Sequence, residues 1–105
     1  MLYVLMAKWK EGLTREQMDG ALKRRSEWKY PRGATIVGEY WLSTSSPAVI
    51  TVFEATEYET IMEIALAWRD VFDITTVPAT MSEEGLKIAQ QIRERQLTKD
   101  VKVWP

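Results

Sequence analysis

Hydrophobic and polar positions along the chain predict four strands. These cover residues 2–10, 34–43, 48–55 and 71–80, where β-branched and aromatic residues form runs separated by polar turn residues. The polar segment between the second and third runs predicts a hairpin. Pro78 suits an edge strand or a strand end, because proline cannot donate a hydrogen bond to a neighbouring strand.

Two helices are predicted between these strands, each behind a capping box. Thr14 with Gln17 and Thr56 with Glu59 have the required spacing. In such a box the side chain of the N-cap residue accepts a hydrogen bond from the backbone N–H of the third helical residue. The side chain of that third residue in turn accepts from the backbone N–H of the N-cap residue. We therefore expect the first two helices to begin directly after Thr14 and Thr56.

A third helix is predicted after Ser82, its expected N-cap. It carries an apolar stripe that should pack against the rest of the molecule or against a partner, formed by Leu86, Ile88, Ala89 and Ile92. Its basic residues offer a docking surface. A short final strand is predicted over residues 101–105, with Trp104 anchoring the tail.

The order β-α-β-β-α-β is typical of the α+β, ferredoxin-like split βαβ fold, an antiparallel sheet with two helices on one face. The first strand is nevertheless apolar on both faces, and large exposed apolar faces are rare on monomers. We therefore expect a homodimer in which a second subunit packs on the open face. A single domain is predicted over residues 1–105, with a core over 1–80 and a C-terminal helix and tail over 81–105.

Composition narrows the chemistry that this domain can perform. The 105 residues include no cysteine and no histidine. Thiol nucleophiles, disulfides, zinc–thiolate sites, histidine bases and histidine-ligated haem are thereby excluded. Carboxylates, lysine, arginine, tyrosine and hydroxyls remain, and we expect neither a metal site nor a cofactor.

Charge gives no reason to expect a nucleic acid or membrane partner. The formal net charge is −1, with acidic residues concentrated in the middle of the chain and basic residues at both ends. The basic run Lys23-Arg24-Arg25 is interpreted as a solvated helix face. The third strand lacks the RNA-binding signature, and no apolar run approaches the roughly 20 residues that span a bilayer. The apolar start has no features of a signal peptide, so a cytoplasmic location is expected.

Carboxylates and tryptophans inside apolar strands are the candidate site residues. We hypothesise that Glu39 and Trp41 line one small-molecule cavity, with Trp9 or Trp68 as its apolar wall and Glu54 as a possible second acid. Burial beside indoles would raise the pKa of Glu39 and make it a plausible proton acceptor. Glu39→Gln should then retain or raise stability. The alternative is that each strand carboxylate points to solvent at an edge of the sheet or pairs with an arginine.

The hairpin register decides which of these residues share a face. If opposite residue numbers sum to an odd value near 91, Glu39, Trp41 and Glu54 lie on one face, whereas an even sum separates Glu39 from Glu54. The polar connection between the two strands fits both registers.

Several short motifs, taken in order, resemble a family of bacterial and archaeal proteins known only as domain-of-unknown-function family 3303, within the dimeric α+β barrel superfamily. They are Met1-Leu-Tyr-Val with Trp9-Lys10, Trp28-Lys-Tyr-Pro-Arg-Gly33, Gly38-Glu-Tyr-Trp41, Phe53-Glu54-Ala55, and Trp68-Arg-Asp70 followed by Val77-Pro78. The resemblance covers roughly residues 1–80 and leaves out the third helix and tail. It implies a dimeric barrel and no particular activity.

Two classes of function remain open. One is a small-molecule-binding protein or cofactor-independent enzyme; some members of the wider superfamily use such cavities for oxygenation or isomerisation, and Glu39 would then be the base. The other is a non-enzymatic dimeric module for ligand sensing or protein interaction. A pocket containing a desolvated carboxylate favours the first class, and a filled interior with an outer groove favours the second.

Overall fold

The computed structural model describes residues 1–103, with side chains described for residues 1–98. Its elements are β1 Leu2–Trp9, α1 Arg15–Glu27, β2 Thr35–Trp41, β3 Val49–Glu54, α2 Tyr58–Trp68, β4 Phe72–Ala79 and α3 Ser82–Val103. The predicted order of strands and helices is confirmed. The ferredoxin-like α+β fold expected from that order is therefore the fold of the chain.

The four strands form one antiparallel sheet in the order β2-β3-β1-β4. One face, called here the covered face, lies beneath α1 and α2. Its buried side chains include Leu5 and Phe53 from the sheet, which share a core with Ala21, Ile64 and Trp68 from the helices. β4 is an edge strand, which accommodates Pro78 as predicted.

The other face of the sheet, called here the open face, is largely apolar, and within residues 1–103 no helix lies over it. At its centre Val4 pairs with Val52 on one side and Val77 on the other. The apolar residues that the strand register places on the open face are Leu2, Val4, Met6, Tyr40, Ile50, Val52, Val77 and Ala79. The apolar character of both faces of β1 follows from this arrangement.

The predicted capping box is present at α1 and absent at α2. Thr14 and Gln17 bond to each other's backbone N–H groups. The box predicted at Thr56 is wrong, because α2 begins at Tyr58 behind Glu57, whose side chain makes no capping bond. Ala55 explains the delay: it is buried and its N–H donates to the carbonyl of Met1, so the chain continues along the sheet past β3.

α3 extends away from the sheet, and the molecule measures 63 × 30 × 22 Å. Its predicted packing against its own chain is wrong: Leu86, Ile88 and Ile92 are all exposed. Ser82 already belongs to the helix, since the carbonyl of Met81 accepts from the N–H of Gly85.

The final strand predicted over residues 101–105 is also corrected. Residues 101–103 continue α3, and Trp104 lies outside the described residues. Within the described part of the chain, the helices are too short or too polar to cross a bilayer.

Gly33 is required where the loop after α1 passes α2. A Cβ at this position would fall inside the contact distance of the buried Thr60 hydroxyl. We expect Gly33→Ala to lower the free energy of unfolding by about 1–3 kcal/mol, measured by chemical denaturation, because the crowded side chain must shift. Gly20→Ala is the control: a Cβ there meets nothing within 4 Å. Equal effects of the two substitutions would contradict this explanation.

Candidate functional site

An open-mouthed cavity of about 40 Å³ lies between the covered face and the two helices. A volume of this size accommodates a few water molecules and is far below the ~300 Å³ of pockets that enclose drug-sized ligands. An occupant is therefore very small or protrudes through the mouth. The lining residues are Leu5, Ala7, Arg25, Trp28, Tyr30, Glu39, Trp41, Val49, Thr51, Ile64, Trp68, Phe72 and Ile74.

The carboxylate of Glu39 organises the polar end of the cavity. Arg25 binds it with two parallel hydrogen bonds, from Nε to Oε2 at 2.9 Å and from Nη2 to Oε1 at 2.8 Å. The indole Nε1 of Trp41 donates to Oε2 at 2.8 Å, and the hydroxyl of Tyr30 donates to Oε1. Glu39 is only 16% exposed, so these donors replace most of its water.

Tyr30 connects this ion pair to the floor of the cavity. Its single hydroxyl proton points to Glu39, because a carboxylate can only accept. The buried Thr51 lies 3.2 Å from the same phenol oxygen and therefore donates to it. Thr51, Tyr30 and Glu39 thus form one chain of hydrogen bonds, in which Thr51 donates to Tyr30 and Tyr30 donates to Glu39.

These contacts set the protonation states. Burial raises the pKa of Glu39, but the hydrogen bonds from Arg25, Tyr30 and Trp41 outweigh it and hold that pKa below its ordinary value. Burial, followed by the bond to Glu39, raises the pKa of Tyr30 to about 12. The expectation of a raised pKa for Glu39 is therefore wrong, and the alternative that it pairs with an arginine holds, with Arg25 as the partner.

A bulge in β2 brings Glu39 onto the covered face. Ile36 pairs with Phe53, but the register shifts before Gly38, after which Glu39 lies opposite the buried Thr51. Without that extra residue Glu39 would point to the open face. The sum of opposite numbers at Glu39 is even, so the register separates it from Glu54.

Aromatic rings form the apolar walls of the cavity. Trp28 contacts Trp68 edge-on at 5.6 Å between centroids, and Trp68 lies 6.2 Å from Phe72. Trp41 closes the opposite side and approaches Phe72 at 6.4 Å. Behind it Trp9 stacks on Phe72 at 4.3 Å. The cavity is thus apolar except at the end formed by Arg25, Glu39, Tyr30 and Thr51.

The structure brings together three of the five predicted site residues. Glu39, Trp41 and Trp68 line the cavity, whereas Trp9 packs behind the wall without being among the lining residues. Glu54 is exposed on the open face and is not a second acid of this cavity.

Sequence reasoning missed the polar partners Arg25, Tyr30 and Thr51. Arg25 was placed on a solvated helix face, and no spacing in the chain connects it to Glu39. Tyr30 lies inside one of the motifs that carry the family resemblance, residues 28–33, and that motif could have indicated it as a site residue. The neighbouring Arg24 is also engaged: it pairs with Asp70 through two bonds and covers Trp68 at 4.4 Å.

Comparison with known proteins gives one family match. The family model described as a domain of unknown function, DUF3303, matches residues 1–93 and therefore reaches into α3, further than the resemblance over residues 1–80. No curated protein matches the chain.

Proposed function

The chain belongs to the DUF3303 family, and from its cavity we propose that the protein binds small, neutral, largely apolar molecules. The observation that carries this proposal is the combination of aromatic walls with one preorganised polar end. Apolar walls supply affinity, and a few fixed polar groups orient the ligand.

The polar end favours a neutral ligand because its charges cancel. The guanidinium of Arg25 and the carboxylate of Glu39 neutralise each other across two hydrogen bonds. An anion entering the cavity would lose water without gaining an unpaired cation. Arg25 donates three of its five N–H groups, two to the carboxylate of Glu39 and one to the carbonyl of Trp28. The other N–H groups of its guanidinium are left to donate to a ligand. A carbonyl or hydroxyl oxygen of the ligand would accept these.

The same geometry favours binding over acid–base catalysis. A general base works best when its pKa is near the working pH. The pKa of Glu39 lies below its ordinary value, and that of Tyr30 is raised to about 12. Both pKa values are therefore shifted away from the neutral pH at which a general acid or base would have to work. Both groups serve as fixed hydrogen-bond partners.

The proposed functional unit is a homodimer of the dimeric α+β barrel type. The open face supports this arrangement, because it carries eight apolar side chains over all four strands. A permanent interface commonly buries about 2,000 Å² or more in total. In such a dimer the two open faces pack together and each cavity remains on the outer, helix-covered side.

A pocket-filling substitution tests the binding proposal. Benzyl alcohol and benzoate, which are similar in size and differ in charge, are titrated into the protein while the indole N–H signals of the tryptophans are followed by NMR. Benzyl alcohol should shift the signals of Trp28, Trp41 and Trp68, and benzoate should bind about tenfold more weakly. Ile74→Phe should abolish the shifts by filling the cavity.

Thr76→Phe is the matched control, since Thr76 shares the strand and face of Ile74 but does not line the cavity. It should leave the titration unchanged. Binding that survives Ile74→Phe, or stronger binding of benzoate than of benzyl alcohol, would contradict the proposal.

A further inference from the structure

Trp41 is the least enclosed residue of the cavity wall. Among the cavity-lining residues of the described chain it alone is exposed, at 43%. Trp68, by contrast, is buried, and its ring is covered by the guanidinium of Arg24 at 4.4 Å and contacted by Trp28 at 5.6 Å. Exposed side chains change rotamer rapidly, whereas buried ones are held by close packing. Trp41 is therefore the wall residue that moves most easily.

One hydrogen bond holds the side chain of Trp41 in the wall. The indole Nε1 carries the only donor of this side chain, and it donates to Oε2 of Glu39 at 2.8 Å. The backbone beneath is fixed by the sheet, since Trp41 pairs with Val49 and the N–H of Leu42 donates to the carbonyl of Ala48. Rotation of the side chain about its own bonds therefore opens the wall and leaves the sheet unchanged.

The cavity as it stands is too small for a ring compound. Its volume is about 40 Å³, whereas a benzene molecule occupies a cavity of about 150 Å³. An indole is larger than a benzene ring, so outward rotation of Trp41 makes room for one such ring. The opened cavity keeps its other aromatic walls, Trp28 and Trp68, which pack on each other.

Rotation of Trp41 also uncovers an acceptor position on Glu39. Oε1 keeps its hydrogen bonds from Tyr30 and from Nη2 of Arg25, but Oε2 is left with the bond from Nε of Arg25. A carboxylate oxygen has two lone pairs, and a mostly buried one that loses a donor is destabilised. A ligand with its own donor replaces the lost bond, whereas a ligand that only accepts leaves Oε2 short of a partner.

We propose that the cavity selects ring compounds that carry a hydroxyl group, and that this hydroxyl displaces the indole N–H of Trp41 from Glu39. The hydroxyl hydrogen donates to Oε2 of Glu39, and the hydroxyl oxygen accepts from the N–H groups that Arg25 does not use within the protein. A hydroxyl group can do both at once, whereas a ketone or an ether can only accept. This selection rests on the proposed function, since a neutral molecule must first enter the cavity.

1-Phenylethanol and acetophenone test the selection, because they share one carbon skeleton and only the alcohol has a donor. Each is titrated into the natural protein while the indole N–H signals are followed by NMR. The alcohol should bind about tenfold more tightly than the ketone. At saturation the N–H of Trp41 should lose its protection from hydrogen exchange with water. The N–H of Trp9, which lies behind the wall, should keep its exchange rate.

Trp41→Phe keeps an aromatic ring in the wall and removes the N–H that holds it. Because no bond to Glu39 then has to be broken, both compounds should bind this variant about tenfold more tightly than the natural protein. Tyr40→Phe is the matched control, since Tyr40 is the neighbouring residue of β2 and lies on the open face. It should leave both affinities unchanged.

Three results would overturn the displacement of Trp41: acetophenone binding as tightly as 1-phenylethanol, a Trp41 N–H that stays protected at saturation, or binding by Trp41→Phe that is no tighter than that of the natural protein. Each of them refutes the displacement alone, because the compounds still bind in the cavity. If neither compound shifts the signals of Trp28 and Trp68, or if the shifts survive Ile74→Phe, the proposed function fails together with the displacement.

Discussion

Glu39→Gln is expected to lower the free energy of unfolding by about 2–4 kcal/mol at neutral pH, because it breaks a mostly buried ion pair. The amide keeps one acceptor oxygen but presents an NH₂ group to the donors of Arg25 or Trp41. Two donors then face each other without water between them. Urea or thermal denaturation measures the loss. This reverses the sequence-based expectation that glutamine would retain or raise stability.

The stability lost on Glu39→Gln should decrease as the pH is lowered. Because the pKa of Glu39 is lower in the folded than in the unfolded chain, its contribution is complete above the unfolded pKa. It disappears as the pH falls through the folded pKa, where the carboxylate is protonated in both states. The difference between the natural protein and Glu39→Gln should therefore be largest at neutral pH and shrink in strong acid.

Asp70→Asn is the matched control for this experiment. Asp70 also accepts two bonds from an arginine, Arg24, but its side chain is 59% exposed. Exposed pairs contribute little, so the expected loss is about 1 kcal/mol or less. If Asp70→Asn cost as much as Glu39→Gln, or if Glu39→Gln raised stability, the buried pair would not have the role assigned to it.

Val4→Lys is expected to convert the proposed dimer into a monomer. Val4 lies at the centre of the open face, between Val52 and Val77. A lysine there would bury an unpaired charge in the interface, which costs about 3–5 kcal/mol and weakens association by roughly two to four orders of magnitude. Sedimentation equilibrium at micromolar concentration measures the change.

Leu22→Lys makes the same kind of substitution away from that interface. Leu22 is exposed on α1, on the helix side of the sheet. It should leave the dimer intact, and both variants should keep the far-UV spectrum of the folded protein. A natural protein that sediments as a monomer, or a Val4→Lys variant that remains dimeric, would contradict packing through the open face.

The order of elements was predictable because its signals are local. The capping box at Thr14, the apolar run of β1 and the proline in β4 each depend on residues a few positions apart, and the structure has all three. The start of α2 was missed for the opposite reason. A hydrogen bond from Ala55 to Met1, at the start of the chain, holds the backbone against the sheet beyond the end of β3.

The site was only partly predictable because it depends on a bulge and on long-range pairing. Alternation identified Glu39 and Trp41 as unusual, but one extra residue before Gly38 decides which face they occupy. Nothing in the local pattern of α1 distinguishes Arg25 from a solvated arginine. Its partner lies 14 residues away, on a strand whose register is fixed only after the sheet has formed.

The charge state of Glu39 distinguishes a preorganised binding site from an acid–base site. It is measured most directly by an NMR pH titration of the side-chain carboxyl carbon, with Glu39→Gln assigning the signal. We expect the carboxyl to titrate below the pKa of an unperturbed glutamate, because Arg25, Tyr30 and Trp41 stabilise its ionised form. A pKa at or above the unperturbed value would contradict this, and would restore Glu39 as a candidate proton acceptor.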